Sequence, residues 1–216
     1  MNDVLLILLG WLFGLLSPAI AERIRRKHRQ ADLVASVVTE LSELQYTLIA
    51  AIFKLRSRLA TVSDEFVDWV LPIVSSYHGP AKIPNLADNL VEIRKVPEDQ
   101  RRQANLARRD PNAGIALKQY DLPFLASQGA DISICALDFQ RRVYRIKGQL
   151  DLFNQQVTFL QKQYERTFDT GITVENRRNL DRNLEDGYAR LSGFAEQIVR
   201  AVSDVNERYQ GAKKAG

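Results

Sequence analysis

The side chains that most often carry catalysis or bind metals are sparse in this chain. Its two histidines are His28, inside a run of basic residues, and His78, in a Tyr-His-Gly-Pro sequence typical of a turn. Neither has a second His or a Cys at the spacing of a zinc or di-iron site. Cys135 falls beside a predicted buried stripe, which favours a buried thiol over a nucleophile. We therefore expect no catalytic residue, no metal site and no cofactor.

Known catalytic and nucleotide-binding motifs are also missing. The sequence contains no glycine-rich phosphate-binding loop and no GxSxG turn for a nucleophilic serine. The single Cys excludes an internal disulfide and fits a reducing compartment. These features favour a protein that works by binding or assembly, with no small-molecule substrate evident. An enzyme is the weakest hypothesis.

Paired arginines are the second group that could do chemistry, because clustered guanidinium groups bind phosphates. The pairs are Arg101-Arg102, Arg108-Arg109, Arg141-Arg142 and Arg177-Arg178. Each has Asp or Glu nearby, as on a solvent-exposed helix with ion pairs between residues i and i+4. No aromatic platform for stacking bases is evident. A nucleic-acid- or nucleotide-associated protein is therefore the alternative hypothesis, and we consider nucleic acid an unlikely partner.

The positive charge of the chain is concentrated in one place. The formal net charge is +4, and residues 22–29 (ERIRRKHR) by themselves carry five cations and one acid. The remaining sequence is close to neutral. These cations are Arg23, Arg25, Arg26, Lys27 and Arg29, and we expect them to contact lipid headgroups.

An apolar stretch precedes this basic cluster directly. Residues 4–20 (VLLILLGWLFGLLSPAI) carry no charge, and as a helix they would cover about 25 Å. We predict a single-pass transmembrane anchor over residues 1–21 of a bacterial-type inner (plasma) membrane. The flanking cations place the N-terminus outside and the rest in the cytoplasm. The rival is a cleaved signal peptide with an Ala19-Ile20-Ala21 cleavage pattern, but Met-Asn-Asp lacks the positive start of such peptides.

Two features inside the apolar stretch suggest how it is used. Gly10 and Gly14 form a GxxxG pair, which lets two transmembrane helices approach closely, although glycine is also common in such helices. Ser17-Pro18 suits a kink or a helix restart where the chain leaves the membrane. We thus predict pairing of the span through the two glycines.

Three long stripes of apolar residues at alternating spacings of three and four dominate the remaining sequence. They run over residues 34–62, 132–164 and 180–205, long enough to predict coiled-coil-like helices. Gly171 and Thr173 suit a helix end and a helix start, so the last two helices should form an antiparallel hairpin. The predicted fold is all-α, an antiparallel three-helix bundle with an irregular helical insertion. Its parts are residues 22–62, 63–128, 129–210 and a flexible tail at 211–216.

The expected direction of each helix places the insertion at the far end of the bundle. If the second long helix returns to the membrane, Glu165 and Asp169 meet the basic cluster, and residues 63–128 form a distal tip or a structural cap. The candidate partner-binding residues of that tip are Trp69, Tyr77, His78, Arg101, Arg102, Arg108 and Arg109. We therefore expect a membrane-anchored scaffold, sensor or assembly subunit with a protein partner or a homo-oligomer.

Overall fold

A computed structural model describes residues 2–108, 115–169 and 171–209, with side chains from residue 18 onward except residue 19. In this part the chain is entirely helical, which confirms the predicted all-α class. The helices are α1 (Asn2–Arg58), α2 (Asp64–Ser76), α3 (Leu86–Lys95), α4 (Glu98–Ala107), α5 (Pro123–Ser127), a 3-10 helix (Asp131–Ile134), α6 (Leu137–Arg166) and α7 (Val174–Tyr209).

The helix α1 continues through Pro18, so the predicted restart at Ser17-Pro18 is wrong. No Gly or Pro follows until after its end at Arg58, which explains the uninterrupted length. Ala60 then takes a left-handed φ of 55°. The amide of Thr61 donates to the carbonyl oxygen of Arg56 at 2.8 Å and closes the last turn.

The core lies between the three long helices. On α6 the buried positions recur at spacings of three and four, as predicted, and all are 2% exposed or less. These residues are Phe139, Val143, Ile146, Leu150, Phe153, Val157 and Leu160. The α7 helix starts at Val174, and the Thr173 hydroxyl caps it by accepting from the Asn176 amide at 3.3 Å.

The α7 helix runs antiparallel to both other long helices. Against α1, the Gln45 amide donates to Ser203 at 2.7 Å, and Arg56 pairs with Glu196 at 2.6 Å. Against α6, Arg142 pairs with Asp204 near one end, and Leu160 packs on Gly187 near the other. Since both are antiparallel to α7, α1 and α6 run in the same direction.

This direction corrects the predicted arrangement, in which α6 returned toward the basic cluster. Arg29 pairs with Asp131, just before α6 begins, at 2.8 Å. The α6–α7 turn lies a helix of 30 residues away, about 45 Å. The expected meeting of Glu165 and Asp169 with the cluster is therefore wrong. The chain reverses earlier than the sequence suggested, in the segment between α1 and α6.

That segment packs back along the bundle, so the predicted distal tip is wrong as well. The ring of Phe66 at the start of α2 lies under Arg56, and Tyr77 after its end stacks on Tyr46. Further on, the carboxylate of Glu40 accepts from the Phe124 and Leu125 amides at 2.6 and 2.9 Å. Apolar burial drives this course, because Val67, Val70, Leu90 and Leu125 are at most 2% exposed.

A buried polar network sits inside the α1–α7 contact. Gln45, the one polar residue of the first predicted stripe, is 4% exposed. Its amide nitrogen donates to the Val199 carbonyl at 3.1 Å, and its amide oxygen accepts from Asn206 at 3.2 Å. Asn206 also donates to Ser42 at 3.1 Å. Shifting α7 by one turn would leave these polar groups buried without hydrogen-bond partners. The network therefore specifies the register of α7 against α1.

No helix among the residues described with side chains is long and apolar enough to cross a membrane. The structure therefore does not support the predicted single-pass anchor. Residues 4–17 of the apolar stretch, with the predicted pairing residues Gly10 and Gly14, lie outside those described side chains.

Two glycines of α7 give a matched test of the α6–α7 packing. A Cβ at Gly187 would overlap the Cδ2 of Leu160, whereas a Cβ at Gly193 meets nothing within 4 Å. We expect Gly187→Ala to lower the free energy of unfolding by about 1–3 kcal/mol. Gly193→Ala should raise it by about 0.5–1 kcal/mol through helix propensity. Denaturant unfolding of both variants checks this, and equal effects would contradict the packing.

Distances between spin labels test the direction of α6. Labels at Arg29 and Asp131 should lie within about 20 Å of each other, since the side chains form an ion pair. Labels at Arg29 and Asp169 should be separated by about 45 Å or more, the length of α6. A short Arg29–Asp169 distance would restore the arrangement expected from the sequence.

Candidate functional site

The basic cluster lies on a part of α1 that no other helix covers. From residue 20 to residue 29 every side chain of α1 described is exposed, and Leu33 is the first buried one. At 100° per residue the five cations cover about 200° of the helix surface. The remaining face carries Ile20 and Ile24, which are 55% and 52% exposed. This part of α1 is therefore an amphipathic, largely basic helix.

Most of these cations are available to an external anion. Within the described part of the chain, Arg29 is the one member of the cluster that forms an ion pair, with Asp131. Both side chains are well exposed, at 63% and 37%, so this pair stabilises the fold by about 1 kcal/mol at most. Arg23, Arg25, Arg26 and Lys27 make no such contact with the residues that the structure describes.

A groove of about 940 Å³ begins where the cluster ends. Its floor is α1 from Lys27 to Glu43, with Val34, Ala35 and Val38 as the apolar part. One wall is the turn of residues 76–80, and the other contains Phe139 and Tyr209. The groove adjoins the part of α1 that α7 covers at Gln45. Lys27 lies on one rim, and Asp32 and Glu43 on the other.

The turn of residues 76–80 is held by stacked aromatic rings. Tyr77 stacks on Tyr46 with ring centroids 4.1 Å apart, and burial raises the pKa of the Tyr77 hydroxyl. The Tyr46 hydroxyl accepts from the Ile83 amide at 2.9 Å. A Cβ at Gly79 would overlap the Tyr77 ring, so a glycine is required there. These contacts therefore hold the turn in place as one wall of the groove.

The aromatic and histidine residues of the predicted tip have separate roles. Trp69 is half-buried on α2, where the guanidinium of Arg200 lies 4.1 Å from its ring centroid. Tyr77 and His78 line the groove, and His78 Nδ1 lies 2.8 Å from the Ser76 carbonyl oxygen. Two of the three residues thus line the groove that begins at the basic cluster. Their part in partner binding stays a prediction.

The arginines of the predicted tip also do not form one surface. Arg101 is 5% exposed and donates to Asp64, whose other carboxylate oxygen accepts from Arg94 at 2.9 Å. Two further nitrogens of the Arg101 guanidinium, Nε and Nη1, are buried without a hydrogen-bond partner. Arg102 and Arg108 are exposed, and Arg109 lies outside the described residues. Arg101 therefore packs the junction of α2 and α4.

A second predicted arginine pair is likewise partly used inside the fold. Arg142 donates to Asp138 at 2.8 Å and also pairs with Asp204. The hydrogen bond from Arg142 holds the pKa of Asp138 below its ordinary value, and Arg142 has a raised pKa for the same reason. Arg141 beside it is exposed. Part of the positive charge of this arginine pair is therefore neutralised by an ion pair between α6 and α7.

The described residues contain no group of three His, Cys, Asp or Glu side chains that could hold a metal ion. Cys135 is buried at 5% exposure, and desolvation raises the pKa of its thiol. A thiol in that state is protonated at neutral pH and is a poor nucleophile.

Sequence reasoning missed the groove and the Arg29–Asp131 pair. Both depend on where the segment between α1 and α6 returns, and apolar periodicity carries no information on that path. One signal for the groove was present in the sequence. The first stripe keeps its apolar spacing upstream of Gln45, at Val34 and Val38, and both residues line the groove.

Alkylation tests the environment of Cys135. We expect iodoacetamide at pH 8 to modify the native chain at least about tenfold more slowly than the unfolded chain, because burial lowers both the thiolate fraction and access. The rate should still rise as the pH is raised from 8 to 9, since the folded thiol titrates above its ordinary pKa. Equal rates in the native and unfolded chains would contradict this environment.

Comparison with known proteins identifies no relative: no family model, no curated protein and no solved structure matches the chain.

Proposed function

We propose that the protein is a membrane-anchored helical scaffold or assembly subunit, with residues 4–20 as its anchor and the bundle on the cytoplasmic side. The observation that carries the proposal is the exposed basic part of α1. It follows the uncharged stretch directly and precedes the first buried residue, Leu33. A helix of this kind is suited to the headgroup layer of a membrane with anionic lipids.

Electrostatics supports the proposed orientation. Lysine and arginine next to an apolar span hold their side of it in the cytoplasm. Near an anionic membrane each such residue contributes about 1 kcal/mol of attraction. Four of the five cations form no ion pair within the described part of the chain, so their charge is available for this contact.

The continuity of α1 supports a scaffolding role. One helix joins the apolar stretch to the core, and the buried Gln45 network holds it against α7. The distance along α1 from residue 21 to Arg58 is about 55 Å. The bundle would therefore hold its groove near the membrane and its α6–α7 end far from it.

The α6–α7 end is the distal surface in this arrangement. Arg56, two residues before the end of α1, pairs with Glu196, which is 22 residues after the start of α7. The hairpin thus extends about 30 Å beyond α1. Phe168 and Val174 near its turn are 64% and 71% exposed. An exposed apolar end of this kind is suited to a protein partner.

Extraction at alkaline pH tests the anchor. In bacterial cells the full chain should remain in the membrane pellet after a carbonate wash at pH 11. Replacing Leu8 and Leu9 with Arg should release most of it, because charges at the centre of a span cost about 3 kcal/mol each. The matched control is Leu152→Arg, since Leu152 is 52% exposed on α6 and the change leaves the apolar stretch intact. Release of the unaltered chain would refute the anchor.

Two further measurements separate the remaining outcomes. A reporter that works only in the cytoplasm should be active when fused after Gly216, and an inactive fusion would reverse the proposed orientation. Tight, salt-dependent retention on DNA of the full chain with the five cluster cations replaced by Gln would favour the nucleic-acid alternative. Weak retention of that variant is expected, because Arg101 and Arg142 are occupied by Asp64, Asp138 and Asp204.

A further inference from the structure

We propose that the partner of the exposed part of α1 is a second copy of the chain. The two α1 helices would lie parallel and in register over residues 21–35, with Lys27 of each copy paired with Asp32 of the other. This inference names a partner for the proposed membrane scaffold, and in that sense rests on it.

The contact face follows from a repeat of spacings. From the apolar stretch onward, one face of α1 carries residues at alternating steps of four and three: Gly10, Gly14, Ser17, Ala21, Ile24, His28, Ala31, Ala35, Val38 and Ser42. The first three lie outside the described side chains. Ala21, Ile24, His28 and Ala31 are exposed, and Ala31, Ala35, Val38 and Ser42 line the groove. A seven-residue repeat of this length is typical of a helix that pairs with another helix.

The same face is already an interface further along α1. After Ser42 the repeat continues to Gln45, and there α7 covers it through Gln45, Ser203 and Asn206. Upstream of the buried Val38 the face becomes progressively exposed: Ala35 is half-buried, and Ala31 and the described members before it are exposed. A second helix on residues 21–35 would therefore continue the surface that α7 occupies within the chain.

Charge complementarity identifies the occupant and its direction. In a parallel pair of helices, the residue just before a core position of one helix lies next to the residue of the other helix that is five positions later in the sequence. Lys27 stands just before His28, and Asp32 is five residues after Lys27 and just after Ala31. Neither forms an ion pair within the described part of the chain. A parallel second copy would satisfy both through two symmetric Lys27–Asp32 pairs.

The neighbouring flank positions do not oppose this pairing. One heptad earlier, Ile20 of one chain would lie beside Arg25 of the other, and one heptad later Val34 would lie beside Thr39. No like charges meet at either place. An antiparallel partner would lose the two ion pairs, because Lys27 would then face Ile20, Lys27 or Val34 of the other chain. The sequence of α1 therefore favours the parallel arrangement.

The walls of the groove limit the contact. Near Val38 the turn of residues 76–80 stands on one side and Tyr209 on the other. Two bundles cannot approach there, so the helices must diverge after Ala35.

The contact is about 20 Å long, roughly two heptads, which is short for a stable coiled coil in water. Confinement of both chains to one membrane raises their effective concentration and makes such a contact sufficient.

Cysteine cross-linking in membranes tests the face. In the full chain with Cys135→Ser, single Cys replacements would be made at residues 21, 24, 26, 28, 30, 31 and 35. Disulfide dimers should form at least about tenfold faster at Ile24 and Ala31 than at Arg26 and Gln30, which lie away from the face. The product should have twice the 24.6 kDa mass of the chain. Uniform cross-linking, or products of another mass, would overturn the second copy as partner.

A charge exchange tests the pairing itself. Lys27→Asp and Asp32→Lys should each lower dimer formation at Ala31→Cys by about fivefold, since two exposed pairs are lost. The double variant, with both charges exchanged, should recover most of it. Arg141→Asp is the matched control, because it makes the same charge change at an exposed residue of α6, outside the basic cluster and the face. A double variant as weak as the single ones would exclude the Lys27–Asp32 pair.

The two proposals fail in different ways. All cross-linking is measured on chains that remain in the pellet after a carbonate wash. If the chain is absent from the pellet, the anchor is wrong. If it is present but shows no dimer pattern along residues 21–35, the anchor stands and the paired α1 helices are refuted.

Discussion

The packing of α7 against α1 is the contact on which the rest of the structure depends. It places the Gln45 side chain within hydrogen-bond distance of the Val199 carbonyl, Ser203 and Asn206. The side chain is less than a tenth exposed. A buried amide without partners is costly, so few alternative registers are available. This register determines which part of α1 the described residues of α7 cover. It therefore also sets the position of the groove relative to Gln45.

Apolar burial and a few polar contacts together hold the segment that precedes α6 and so set the direction of that helix. Glu40 of α1 accepts two amides at the start of α5, and Asn154 of α6 exchanges two hydrogen bonds with the backbone of Tyr120. Together these contacts bring the chain back to the level of Arg29 before α6 begins. As a result α6 starts beside the basic cluster, and its turn to α7 lies at the opposite end. The exposed apolar residues of that turn are thus as far from the cluster as the bundle allows.

Charge is distributed in two distinct ways over the molecule. In the bundle, arginines such as Arg56, Arg101 and Arg142 pair with acids on neighbouring helices. On the free part of α1 they mostly do not, because no helix lies alongside to supply acids. Cations in the bundle therefore contribute to helix packing. Those of the basic cluster remain available to an external surface.

The sequence alone determined the helical class, the unbroken course of α1 after Pro18 and the buried faces, because these depend on local spacing. Residues such as Phe139, Val143 and Leu150 repeat at helical intervals, and the absence of Gly and Pro after Pro18 keeps α1 continuous to Arg58. The capping role of Thr173 was readable in the same way. Tertiary structure alone decided that α1 and α6 are parallel, that Arg101 is buried, and that Tyr77 and His78 face a groove near the basic cluster. These features depend on contacts between residues distant in sequence, such as Arg29–Asp131 and Tyr46–Tyr77, and periodicity along a helix does not encode them.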